Sequence, residues 1–175
     1  EALEDSGIDM EKEDSFRVGV IVGSGIGSLP QVENNYEKII TKGPGKVNPL
    51  MVPMMISNMA AGQIAIEYGF KGDNFAVVTA CATGAHNIGE AVRAIRHGYA
   101  DAALVGGAEE SVSPICIAGF TNLGALSKAE DPTQASLPFD VRRKGFVAGE
   151  GADALVIESV SYTHLRAHET AANLV

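Results

Sequence analysis

Four short apolar runs alternate along this chain with stretches whose apolar positions recur at helical spacing. Arg17 to Ser24 (RVGVIVGS) is almost continuously apolar and rich in β-branched residues, which predicts a buried strand. It runs into a flexible turn, Gly23-Ser-Gly-Ile-Gly27. Asn74 to Ala80 (NFAVVTA) and Ala100 to Gly106 (ADAALVG) predict a second and third strand, and Ala152 to Glu158 (ADALVIE) a fourth. Helices are predicted between them. One runs from about Pro30 to Ile40. A second, Met54 to Tyr68, holds Ala60, Ala61 and Gly62 and should pack closely inside the molecule. A third, Thr83 to His97, carries Ile88, Val92 and Ile95 on one face. Residues 2–8 read as the last turns of a helix ending near Gly7, and a short helix is expected after Pro114. Thr41 to Pro49, with Gly43, Pro44 and Gly45, reads as a loop, as do the polar residues 128–146. Strands alternating with helices predict an α/β sheet covered on both faces. No repeat, low-complexity tract or internal linker is present, so one folding unit, or part of one, is expected.

Composition narrows the class. With 175 residues, 46% hydrophobic and 20% charged, the chain is globular and can bury a core. No apolar run reaches the ~18–20 residues that a membrane span requires. The net charge is -9, which argues against a nucleic-acid backbone as partner. Most of that charge sits in residues 1–14, where Glu1, Glu4, Asp5, Asp9, Glu11, Glu13 and Asp14 face a single base, Lys12. The rest is close to neutral. The acidic start reads as a solvated face. The two cysteines, Cys81 and Cys116, make no disulfide framework, and a reducing, cytoplasmic setting is expected.

The most informative stretch is Val78-Thr-Ala-Cys81-Ala-Thr-Gly84, where a strand meets a small-residue turn and a helix starts at once. A helix N-terminus presents unpaired N–H groups and the positive end of the dipole, and both favour thiolate over thiol. The same N–H groups can receive the oxyanion of an acyl transfer. Ala82 and Gly84 leave room for a substrate carbonyl. The pattern resembles a nucleophile elbow with Cys in place of Ser; the alternative is an ordinary buried cysteine. The Gly23–Gly27 turn invites a phosphate-binding reading, but the dinucleotide spacing is incomplete and no Gly-Lys-Ser/Thr follows. A tight turn lining a cavity is the plainer reading. His86 reads as structural, and His97 as a partner of its helix C-terminus. His164 and His168 are spaced as two metal ligands would be on one helix face, without the rest of a metal motif. Gly106-Gly-Ala-Glu109-Glu110 follows the third strand. Arg142, Arg143 and Lys144 form either a solvated turn or a small basic patch for an acidic partner.

Taken together, RVGVIVGSGIG (17–27), VPMMISNMAAGQIAIEYGFKG (52–72), FAVVTACATGAHNIGEA (75–91), ADAALVGGAEE (100–110), IAGFTNLGALS (117–127) and PFDVRRKGFVAGEGADALVIE (138–158) resemble, in order, the β-ketoacyl-acyl carrier protein synthases. These are the elongating condensing enzymes of the thiolase superfamily. The resemblance covers about residues 1–159 and implies part of a thiolase-like α/β fold, layered α-β-α-β-α. It implies that Cys81 accepts an acyl chain from acyl carrier protein as a thioester, its backbone N–H forming one arm of the oxyanion hole. Decarboxylated malonyl carrier protein then attacks that thioester, giving a β-ketoacyl chain two carbons longer. No metal or organic cofactor takes part in the family. Ile26 matches the residue gating the acyl pocket, Phe120 an aromatic lining it, and Cys116 its wall. Lys46 falls in a loop that helps dock the acidic carrier protein. A homodimer is implied, with the GGAE segment and the strand before Cys81 near its interface.

The departures shape the expectation. Whole family members are more than twice this length, and the half supplying two catalytic histidines, a lysine and the second oxyanion donor has no counterpart here. His86, His97, His164 and His168 do not match those positions. The chain by itself is therefore expected not to condense, and to expose apolar faces. Residues 160–175 (VSYTHLRAHETAANLV) match nothing in the family and read as foreign sequence. Three alternatives remain: a polyketide-type ketosynthase, a non-catalytic partner such as a chain-length factor, which Cys81 argues against, and a nucleotide-binding module built on Gly23–Gly27.

Overall fold

The computed structural model describes residues 1–164. They fall into two compact units. The first comprises Glu1–Gly25, Ser57–Ala108 and the described residues from 152 onward; the second comprises Ile26–Ile56 and Glu109–Gly151.

The first unit is built on a four-stranded sheet in the order β2-β1-β3-β4: β1 (Val18–Gly23), β2 (Asn74–Phe75), β3 (Ala102–Glu109) and β4 (Gly151–Glu158). β1 pairs in parallel with β2 and with β3, from Val18 opposite Ala102 to Gly23 opposite Gly107. All six residues of β1 are buried, as its unbroken apolar run requires. Alternation sends its side chains to two cores. Val18, Val20 and Val22 join Ala102, Leu104, Ala61 and Phe70 on one face. Ile21 joins Ala103, Val105 and Ala91 on the other. Three helices serve these cores: α1 (Ala2–Ser6), α4 (Met59–Tyr68) and α5 (Thr83–Arg96). Leu3, Ala60, Ile64 and Ala65 cover the first face, from α1 and α4, and Ile88 of α5 packs on the second. The expected sheet is present and is covered on both faces at β1 and β3, while β4 is largely exposed.

Three expectations change in detail. The helix expected over Met54–Tyr68 is two helices, α3 (Met51–Met55) and α4, broken where Ile56 turns extended. The carbonyls of Met55 and Ser57 accept from the N–H groups of Ser28 and Ser24. Those bonds to the chain after β1 replace the helical ones that would have joined α3 to α4. The strand expected over Asn74–Ala80 pairs only at Asn74 and Phe75. Beyond them the backbone is drawn off the sheet by side chains of α5. On α5 itself the fully buried stripe is Thr83, Asn87 and Ala91, rather than Ile88, Val92 and Ile95. After β4, residues 160–164 are helical and Tyr162 packs on the first core; residues 165–175, where most of the expected foreign segment and His168 fall, lie outside the described residues.

One ion pair ties the start of β1 to the start of β3. Arg17 donates to both carboxylate oxygens of Asp101, at 3.0 and 2.7 Å, and to the carbonyls of Gly98 and Tyr99 at 3.0 and 3.3 Å. The guanidinium's hydrogen bonds hold the Asp101 carboxyl below the usual carboxylate range. Because the folded value is depressed, the pair's stabilisation is present above that range and disappears as pH falls through it. Asp101→Asn should lower the unfolding midpoint by a few degrees near pH 7. Thermal melts near pH 3 should show the difference closing.

The second unit holds α2 (Leu29–Lys42), α3, α6 (Pro114–Asn122) and two single-turn 3-10 helices, Pro44–Lys46 and Pro132–Gln134. Buried Asn35 organises it. Its amide donates to Gln31 O at 2.7 Å and its carbonyl accepts from the Asn48 N–H at 2.8 Å. Glu33 of α2 accepts from the Ile115 N–H in the first turn of α6 at 2.6 Å, where a carboxylate also suits the helix dipole. Much of residues 128–146 is loop, as expected.

Candidate active site

Cys81 lies at the centre of a single 3-10 turn, Ala80–Ala82, which leads directly into α5 at Thr83. Its thiol is exposed, which removes the buried-cysteine alternative. Ala80 stands at φ 53°, in the left-handed region that residues with a Cβ rarely enter. Such a backbone costs about 1–3 kcal/mol and persists only where its surroundings over-determine it. No side chain caps the N-terminus of α5; its first N–H, that of Thr83, is taken by Ala80 O, and the later N–H groups of the first turn are directed at the turn that carries the thiol. The turn enters the helix at once, as the spacing predicts, but the strand before it ends at Phe75, so the cysteine follows an irregular segment rather than the strand itself.

What holds this turn is a set of side chains from the first two turns of α5. Thr83 Oγ1 accepts from the Thr79 N–H at 3.0 Å. His86 Nδ1 is hydrogen-bonded to Thr79 Oγ1 at 2.7 Å. Asn87, with no exposed surface, accepts from the Val77 N–H at 2.8 Å and donates to Gly106 O of β3 at 2.9 Å. His86 is exposed and bonds Thr79 beside the cysteine turn. Thr79, Thr83 and Asn87 escaped the sequence reading; the available signal was Thr83 and Asn87 standing four apart in line with Ala91, away from the charged Arg93 and Arg96. The Gly23–Gly27 turn gains a packing explanation at its first glycine, since a Cβ on Gly23 would lie 2.6 Å from Ala76 Cβ.

The predicted pocket, docking and basic residues belong to the second unit. Ile26 is exposed, at 46%. Phe120 of α6 meets Phe146 edge-on, with ring centroids 5.3 Å apart. Cys116 is buried in the first turn of the same helix, where the Ser113 hydroxyl accepts its N–H at 3.4 Å. Lys46 is exposed in the Pro44–Lys46 turn. The basic segment is a structured loop: Asp140 takes a bidentate ion pair from Arg142, which holds its carboxyl below the usual range, and its carbonyl accepts from Arg143. His97 closes α5, its Nδ1 bonded to Arg93 O at 2.8 Å, as its place at the helix end predicts. Among the described residues no group of three or more His, Cys, Asp or Glu is placed to hold a metal ion, and no helix is long and apolar enough to cross a membrane.

The α/β fold is that of the thiolase-like ketosynthases. Solved structures agree. A β-ketoacyl synthase from Burkholderia phymatum STM815 superposes with a TM-score of 0.84 and 32% identity, over 95% of this chain and 41% of that one. AntDE:AntF, a type II PKS acyl-carrier protein in complex with its ketosynthase bound to the hexaketide, superposes with a TM-score of 0.87 and 31% identity, over 95% and 42%. Residues 1–162 match the N-terminal domain of β-ketoacyl synthases, and the chain belongs to that family. Curated relatives named 3-oxoacyl-[acyl-carrier-protein] synthase 2 come from Coxiella burnetii (47% identical, 95% of this chain, 40% of the relative), Vibrio cholerae (46%, 100%, 42%) and Staphylococcus aureus (44%, 100%, 43%). The chain thus spans about two fifths of the length of these relatives.

Proposed function

We propose that this chain is part of an elongating β-ketoacyl-acyl carrier protein synthase of fatty acid synthesis, and that Cys81 is its acyl-accepting nucleophile. One observation carries the reading: an exposed thiol held in a strained turn against an uncapped helix N-terminus, in a chain 44–47% identical to 3-oxoacyl-[acyl-carrier-protein] synthases. In the first half-reaction the Cys81 sulfur attacks the thioester carbonyl of an acyl carrier protein. The carbonyl oxygen gains negative charge and is received by N–H groups at the turn, that of Cys81 among them. The carrier's thiolate leaves, and the acyl chain stays on Sγ as a new thioester. In the second half-reaction malonyl carrier protein loses carbon dioxide, and the resulting carbanion attacks the Cys81 thioester. That step needs a positioned acid and base beyond this turn.

Ile26, Phe120 and Cys116 are apolar or weakly polar groups suited to an acyl chain, and exposed Lys46 suits an acidic carrier protein. β2 stands at the edge of the sheet, with Phe75 and Val78 exposed beside it, which supports pairing with a second copy in a homodimer. The family match over residues 1–162 supports assigning residues 1–159 to the synthase domain. A polyketide-type ketosynthase is the second reading, favoured by the likeness to AntDE:AntF, though its 31% identity is below that of the fatty-acid-type relatives.

The test is transacylation. Incubation with acyl-acyl carrier protein should add one acyl mass to the chain, mapped by mass spectrometry to Cys81 and absent in Cys81→Ala. Acylation that survives Cys81→Ala, or none on Cys81, contradicts the assignment.

A further inference from the structure

We propose that Asn87, together with Thr83, is a positioning residue for Cys81: the two side chains suspend the segment Val77–Thr79 from helix α5 and so set where the thiol stands. The inference rests on the nucleophile reading above and adds to it which residues aim the nucleophile. Its ground is an accounting of backbone hydrogen bonds. β2 leaves its ladder with β1 at Phe75. From there to Cys81 the chain advances without a strand partner, yet two of its N–H groups are met by side chains of α5: Val77 by Asn87 Oδ1 and Thr79 by Thr83 Oγ1.

Asn87 is suited to this in a way that few residues are. A primary amide donates and accepts at once, and here it accepts from Val77 while donating 2.9 Å to the Gly106 carbonyl of β3. It therefore ties the cysteine-bearing segment to the centre of the sheet through one fully buried group. Aspartate keeps only the acceptor, and leucine keeps neither. The helix can come this close because its Gly84 faces Gly107 of β3: a Cβ on Gly107 would stand 3.3 Å from Gly84 Cα. The helix that presents the N–H groups and the segment that carries the thiol are thereby registered to each other. A left-handed Ala80 is stable only if both of its flanks are fixed.

The experiment compares the wild-type chain with Asn87→Asp, Thr83→Val and Thr83→Ser. It measures amide hydrogen exchange by NMR and the rate of iodoacetamide labelling at Cys81. In Asn87→Asp the oxygen that replaces the amide NH2 faces the Gly106 carbonyl and is repelled by it, which draws the carboxylate off Val77, so exchange at Val77 should speed at least about tenfold and Cys81 labelling slow severalfold, with β1 and β3 amides still protected. Thr83→Val should do the same at Thr79, and Thr83→Ser, which keeps the hydroxyl, should restore wild-type values. If Asn87→Asp also strips protection from β1 and β3, the Thr83 pair decides. Unchanged exchange at Thr79 and unchanged Cys81 labelling in Thr83→Val would overturn the proposal, as would failure of Thr83→Ser to restore them. Slow labelling of wild-type Cys81 would instead count against the nucleophile reading, and the exchange data would still decide whether the segment hangs from α5.

Discussion

Gly106→Ala should destabilise this chain by at least about 3 kcal/mol, a large share of the roughly 5–15 kcal/mol that holds an ordinary domain folded. A Cβ at that position would lie 2.1 Å from the carbonyl oxygen of Asp153 and 3.1 Å from Ala154 Cα. Both are backbone atoms of β4, so no rotamer change relieves the contact. β3 sits between β1 and β4, and opening that seam uncovers both cores. It also shifts the Gly106 carbonyl that receives Asn87. Gly89, on α5, gives the control of opposite sign. A Cβ there meets nothing within 4 Å, so Gly89→Ala should be neutral or stabilise the chain by up to about 1 kcal/mol through helix propensity. Urea unfolding of the two variants checks both statements. A Gly106→Ala protein as stable as wild type would contradict the described approach of β4 to β3.

The second large effect falls on the site. In Gly23→Ala the new methyl would stand 2.6 Å from Ala76 Cβ and 3.5 Å from Ser57 O, and the segment running to Cys81 must give way. Displacing a reactive group by about 1 Å can cost on the order of a hundredfold in rate. Acylation or alkylation of Cys81 should therefore fall by at least about tenfold. Ala76→Gly makes room for the added methyl, so the double variant Gly23→Ala/Ala76→Gly should recover most of the loss. Two losses that simply add would show that Gly23 acts on Cys81 by some other route. Nucleotide binding that disappears in Gly23→Ala would revive the phosphate-binding reading of this turn.

β1 and β3 were legible in the sequence because a strand buried between helices leaves an unbroken apolar run, and β4, although largely exposed, because Leu155, Val156 and Ile157 form such a run. The turn at Cys81 was legible because small residues, a cysteine and a helix start stood in one short segment. The second strand was misjudged for a physical reason. Its apolar residues suggested a ladder, but Val77 and Thr79 take partners from α5, and side-chain acceptors leave no mark in a hydropathy pattern. The sheet-facing stripe of α5 was misplaced for the same reason: Thr83 and Asn87 are buried by hydrogen bonding, while Ile88, Val92 and Ile95 were favoured on hydropathy alone. The break between α3 and α4 depends on the Ser24 and Ser28 N–H groups, a long-range feature that local propensity does not carry. The division into two units has the same origin, since each is assembled from segments far apart in the chain.

The central claim is that the fold presents Cys81 as a reactive nucleophile, and its two cysteines allow that to be tested within one molecule. Iodoacetamide labelling near neutral pH, followed by peptide mapping, compares exposed Cys81 with buried Cys116 under identical conditions. Selective labelling of Cys81, faster than that of a free model thiol, is the predicted result. Labelling of both cysteines at one rate, or of Cys81 no faster than the model thiol, would contradict it.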